Sequence, residues 1–64
     1  MTQHQMLFEL SQIGYIELDA SPTYIYLYWK QLDTHEEHLV MGYDLPLLIE
    51  HLYKEVMSER SENA

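Results

Sequence analysis

The seven residues from Thr23 to Trp29, which read TYIYLYW, constrain this chain more than any other stretch. An ordinary half-buried strand alternates apolar with polar side chains, so that one face meets the core and the other meets water. Here Ile25, Leu27 and Trp29 occupy one parity, and three tyrosines occupy the other. Aromatic and β-branched residues of this kind favour a strand. The sequence therefore predicts a strand with two faces that can each be covered.

The length of the chain limits how this strand can be stabilised. Sixty-four residues are enough for one domain, which we place at residues 1–57, with a frayed tail at 58–64. A domain of this size buries about 60% of the surface of its unfolded chain, so its stability is marginal. Cysteine is absent, so neither a disulfide nor a thiolate metal site can add stability. A well-packed core or self-association remains, and we expect a homodimer.

A helix is predicted at the N-terminus. Thr2 and Gln5 have the spacing of a capping box, in which two side chains satisfy free N–H groups at the helix start. Gly14 suits the left-handed position at which many helices end. A short strand over Met6–Leu10 is the alternative. The helical reading depends on apolar residues at helical spacing, namely Met6, Leu7, Leu10 and Ile13.

Three strands and a second helix follow. Turn-forming residues separate apolar runs at 14–20, 23–32 and 37–43, and short connections favour an antiparallel meander. Asp44 has the position of a helix N-cap, and Pro46 is tolerated in a first turn. The predicted fold is α+β, a three-stranded antiparallel meander with a C-terminal helix on one face and a short N-terminal helix (α-β-β-β-α). The second helix carries an apolar stripe of Leu45, Leu48, Ile49, Leu52 and Val56.

One apolar stripe can cover one face of the sheet. The tyrosines at 24, 26 and 28 are then expected on the opposite face, under the N-terminal helix or exposed to another protein chain. The side chains expected under the C-terminal helix are Ile16, Leu18, Ile25, Leu27, Trp29 and either Leu39 or Val40.

The charge of the chain restricts its partners. The formal net charge is −8, with 11 acidic residues against Lys30, Lys54 and Arg60. Nucleic-acid binding requires basic residues near phosphates, so direct DNA or RNA binding is not expected, and anionic membranes are disfavoured for the same reason. The N-terminus lacks the pattern of a secretory signal, and no apolar stretch reaches the length of a membrane span. A cytoplasmic protein with a basic protein partner is the expectation.

Two groups of residues are candidates for an interaction site. The tyrosines are expected to form the association surface, because tyrosine combines apolar area with a polar tip. Carboxylates are expected to form an acidic face for a basic partner; a sharper alternative is a DNA mimic that inhibits a nucleic-acid-binding protein. The candidate residues are Tyr24, Tyr26 and Tyr28, together with Glu17, Asp19, Asp33, Glu36 and Glu37.

The sequence gives weaker indications of catalysis or metal binding than of an interaction site. The HEEH segment from His35 to His38 could contribute to a metal-binding module, but it lacks the spacing of a helical HExxH motif, so no metal or cofactor is assigned. The chain has no glycine-rich phosphate loop or nucleophile elbow, and we expect no enzymatic activity. In size and acidity it is similar to many small phage-encoded inhibitors and bacterial regulators, although no motif carries that likeness.

Overall fold

A computed structural model describes residues 1–62. Its elements confirm the predicted α-β-β-β-α order of an α+β fold. They are α1 (Gln3–Ile13), β1 (Gly14–Ala20), β2 (Ile25–Gln31), β3 (Glu37–Gly42) and α2 (Leu45–Glu62). The predicted domain boundary after residue 57 falls inside α2. The last two residues of the predicted tail, 63–64, lie outside the described residues.

The start of α1 agrees with the sequence, but its end does not. The hydroxyl of Thr2 accepts a hydrogen bond from the backbone N–H of Gln5 at 3.1 Å, so the cap is confirmed and the strand alternative is wrong. Gly14 has an extended backbone, with φ −160°, and the predicted left-handed end is wrong. What requires glycine here is space. A Cβ at residue 14 would lie 2.6 Å from Cζ2 of Trp29 and would overlap the indole.

The three strands form an antiparallel sheet in the order β1-β2-β3, so the strand with the aromatic alternation is central. The register aligns Ile16 with Trp29 and Leu18 with Leu27. On the other side of β2, Leu27 is opposite Val40. Side chains of aligned residues share a face of the sheet, so the register determines the composition of both faces.

Both helices contribute to one core on the same face of the sheet. The indole Nε1 of Trp29 donates to the backbone oxygen of Leu10 at 3.0 Å, which joins the central strand to the last turn of α1. The N-terminal helix therefore contacts the Trp29 side of the sheet, and the tyrosines are on the other side. The buried core consists of Met6, Leu10, Leu27, Trp29, Val40, Ile49, Leu52 and Val56.

Three of the expected core positions need comment. Val40 is 7% exposed and belongs to the core, whereas Leu39 is 58% exposed on the opposite face. Leu18 lies on the side of the helices but is 51% exposed, so its predicted burial is wrong. The reason is that the buried contacts of α1 and α2 concentrate around Trp29, toward the opposite end of β1. Ile25 is half-buried.

Candidate functional site: the open face of the sheet

The face of the sheet that neither helix covers will be called the open face. Register places its residues in three rows across the sheet, and Tyr24 extends it at one end. The apolar members are partly or largely exposed; Tyr15 is 55% exposed and Met41 is 56% exposed. The rows are Tyr15–Lys30–Glu37, Glu17–Tyr28–Leu39 and Asp19–Tyr26–Met41.

The predicted tyrosines are held in fixed positions by one another and by a carboxylate. The rings of Tyr24 and Tyr26 meet edge to face with centroids 4.7 Å apart, and the hydroxyl of Tyr26 donates to that of Tyr24 at 2.9 Å. This hydrogen bond, aided by desolvation, raises the pKa of Tyr26 above its ordinary value. The hydroxyl of Tyr28 donates to Oε1 of Glu37 at 3.0 Å. Desolvation and then this bond raise the pKa of Tyr28.

Three of the five predicted carboxylates share the open face with the tyrosines. Glu17 is opposite Tyr28, Asp19 is opposite Tyr26, and Glu37 ends the row that contains Lys30. The two other basic residues, Lys54 and Arg60, are on α2, so the face has an excess of negative charge. The arrangement resembles a small protein interface, with aromatic residues in the centre and charged residues around them.

The other two predicted carboxylates are elsewhere. Asp33 is in the turn between β2 and β3, where its Oδ1 accepts a hydrogen bond from Nε2 of Gln31 at 2.7 Å. That bond holds the pKa of Asp33 below its ordinary value. Glu36 comes just before β3 and groups with His38 and Glu59 on the side of the helices. The predicted acidic set therefore divides among three places.

The HEEH segment is also divided. His35 is exposed in the turn, with a left-handed backbone at φ 64°. The side chain of His38 is only 9% exposed, and its Nε2 lies 2.7 Å from Oε2 of Glu59, while Nδ1 lies 3.4 Å from Oε1 of Glu55. Sequence reasoning did not connect these glutamates with His38. Their spacing of four residues places both on one face of α2, but only the packing of α2 on β3 shows which strand residue they meet.

A second surface that sequence reasoning missed lies on the side of the helices. It is a groove of about 410 Å³ between α1, β1 and the start of α2, and we call it the apolar groove. Phe8 is 58% exposed at its margin, and no lysine, arginine or carboxylate is among its lining residues within 1–62. Its lining is His4, Leu7, Phe8, Ser11, Ile16, Leu18, Leu27, Leu45 and Ile49.

Comparison with known proteins returns no relative. No protein-family model, curated protein or solved structure matches the chain. Within residues 1–62, neither helix has the combination of length and apolar character needed to cross a bilayer. Any functional conclusion must therefore come from the chemistry of the surfaces described above.

Proposed function

We propose that this chain is a non-enzymatic interaction protein whose open face binds and modulates a basic protein partner. The observation that carries the proposal is the combination of exposed aromatic and apolar side chains with an excess of carboxylates on one bare sheet face. Exposed patches of this kind are typical of interaction sites on small proteins. As part of the same proposal, the protein acts in the cytoplasm, which is the default compartment because a chain without cysteine does not report on redox conditions.

The contacts among the tyrosines order their side chains before any partner binds. Tyr24 and Tyr26 fix each other, and Glu37 fixes the hydroxyl of Tyr28, so these side chains lose little conformational freedom on association. Ordering an interface side chain otherwise costs about 0.5–1.5 kcal/mol. Tyrosine also suits binding sites because it supplies a large contact area with only two side-chain torsions.

The charge of the face selects the kind of partner. Glu17, Asp19 and Glu37 outnumber Lys30, and the whole chain has a formal charge of −8. A lysine- or arginine-rich surface would meet the open face with complementary potential, which increases the association rate and discriminates against acidic proteins. A second copy of this chain would present the same excess of negative charge.

The homodimer in the proposal is therefore assigned to the apolar groove. Its lining is free of lysine, arginine and carboxylates within the described residues, so two acidic copies repel least when they meet there. Phe8 and Leu18 are the exposed apolar side chains that a second copy would cover. Binding of a partner and dimerisation then use opposite sides of the sheet and can occur together.

A peptide-display selection against the full-length protein tests the partner chemistry. We expect selected peptides to be rich in lysine and arginine, to dissociate as salt is raised, and to shift amide resonances of the open face in NMR spectra. The Tyr24→Ser/Tyr26→Ser/Tyr28→Ser variant should lose them, while Phe8→Ser should retain them. Acidic or uncharged peptides, or shifts confined to the helices, would refute the proposed surface.

Two measurements complete the test. Circular dichroism must show that the triple serine variant is folded; if it is not, the single Met41→Ser variant replaces it, because it changes the open face and leaves the hydrogen bonds of the tyrosines in place. Light scattering should give a dimer for the wild type and a monomer for Phe8→Ser. A wild-type monomer near 7.7 kDa at high micromolar concentration would exclude the dimer.

Release of a bound DNA-binding protein by duplex DNA would support the DNA-mimic form of the proposal.

A further inference from the structure

We propose that Glu36, His38 and Glu59 form a binding site for a divalent transition-metal ion of the zinc type. Glu36 comes from just before β3, His38 comes from the start of that strand, and Glu59 comes from the C-terminal half of α2. One ligand atom from each residue lies within 4.8 Å of the other two. An imidazole nitrogen with two carboxylate oxygens is a donor set that zinc accepts, whereas magnesium and calcium prefer oxygen alone.

The hydrogen-bonding capacity of His38 supports a cation at this place. Its Nε2 lies 2.7 Å from a carboxylate oxygen of Glu59, and its Nδ1 lies 3.4 Å from one of Glu55. Two arrangements satisfy both contacts: an imidazolium donates from both nitrogens, or a neutral imidazole donates from Nδ1 and binds a cation through Nε2. In the second arrangement, both Nε2 and the carboxylate of Glu59 donate electron pairs to the ion.

Glu55 occupies the position that supporting residues have in known metal sites. A metal-bound histidine usually donates its second N–H to a carboxylate, which fixes the ring orientation and makes the imidazole a better ligand. The Nδ1 atom of His38 faces Glu55 in this manner. Glu55 is therefore a positioning residue in the proposal, and Glu36, His38 and Glu59 are the ligands.

Burial and charge make the site favourable for a cation. The side chain of His38 is 9% exposed, and its ring lies 5.8 Å from that of Trp29, so it is largely shielded from solvent beside the core. Three glutamates surround the ring and attract a divalent ion. Ligand atoms around a tetrahedral zinc are about 3.3 Å apart. Oε2 of Glu59 lies 2.7 Å from Nε2 of His38, so it must move away from that nitrogen by about 0.6 Å to admit the ion. A rotation of that half-exposed side chain is sufficient.

Zinc titration of the full-length protein at pH 7 tests the site. Calorimetry should give one zinc ion per chain, and the midpoint of thermal unfolding should rise with zinc concentration, because a ligand that binds only the folded state stabilises it by mass action. His38→Asn and Glu59→Gln should each weaken binding at least about tenfold, and Glu55→Gln should weaken it by about 10–100-fold. His35→Asn and Glu50→Gln are matched controls that should bind like the wild type.

NMR of the imidazole nitrogens locates the ion independently of stability. Zinc should shift Nε2 of His38 and leave Nδ1 protonated, with no change at His35. Glu59→Gln keeps the test decisive if His38→Asn does not fold, because Glu59 is 45% exposed. Absence of binding, equal binding by all variants, or a shift centred on His35 would overturn the proposal. The site is on the side of the helices, so none of these outcomes bears on the open face.

Discussion

Substitution of Gly14 by alanine should destabilise this protein more than its small size suggests. The new methyl group would overlap the indole of Trp29, whose ring atom Cζ2 would lie at 2.6 Å. Overpacking of a tight core costs about 1–3 kcal/mol. A displaced indole would also lose its bond to the oxygen of Leu10, worth about 1 kcal/mol. We expect a loss of about 2–4 kcal/mol and a thermal midpoint lower by at least about 10 °C in a domain of this size.

Gly42→Ala is the matched control. A methyl group at residue 42 would lie 3.2 Å from Cδ2 of Leu48, the end of a flexible side chain, and Gly42 does not have a positive φ. Because alanine also reduces the freedom of the unfolded chain, the net change should stay within about 1 kcal/mol. Urea unfolding followed by circular dichroism measures both variants. If Gly14→Ala costs no more than Gly42→Ala, or if it costs as much in a Trp29→Leu background as in the wild type, the packing argument is refuted.

Two further predictions concern the helices. Thr2→Ala removes the N-cap of α1 and should cost about 0.5–2 kcal/mol in urea unfolding, while Thr23→Ala, in the exposed turn before β2, should cost less. Tyr53 donates to Oε1 of Glu9 at 2.8 Å, and this bond, together with desolvation, raises the pKa of Tyr53. Because the pKa of Tyr53 is higher in the folded state, its protonated hydroxyl contributes stability that is fully present below pH 10 and is lost as pH rises through the folded-state pKa. Tyr53→Phe should therefore reduce the loss of stability at alkaline pH. An unchanged pH dependence of unfolding would contradict this assignment.

Local patterns in the sequence were enough to predict the order and type of all five elements. Thr2 and the apolar stripe of α2 have the spacing that their roles require, so neighbouring residues alone define them. Gly14 shows where this reasoning stops. Local statistics favour a left-handed helix end, but the actual constraint comes from an indole fifteen positions later in the chain. Contacts between distant residues are set by packing, which no local pattern contains.

The candidate sites show the same division. Alternation on β2 correctly separates the tyrosines from Trp29, and strand pairing then brings Glu17, Asp19 and Glu37 to the tyrosine side. The acidic residues of the turn looked equivalent in sequence, but pairing with Lys30 places Glu37 on the open face, while Glu36, the residue before β3, lies beside His38 and Glu59 on the side of the helices. Neighbouring glutamates therefore belong to different surfaces.

The use of both helices on one face explains how so small a chain can leave a sheet face bare. A single helix would cover part of the Trp29 side, but α1 and α2 together enclose Trp29, Leu10 and Leu52 completely. The stability of the fold then does not depend on covering the tyrosines, and their side chains remain free to bind another molecule. If this reasoning holds, replacing Tyr26 by serine should change the free energy of unfolding by less than replacing Leu27 by alanine, which should cost about 2–5 kcal/mol. A larger cost for the Tyr26 variant in urea unfolding would mean that the open face is part of the core.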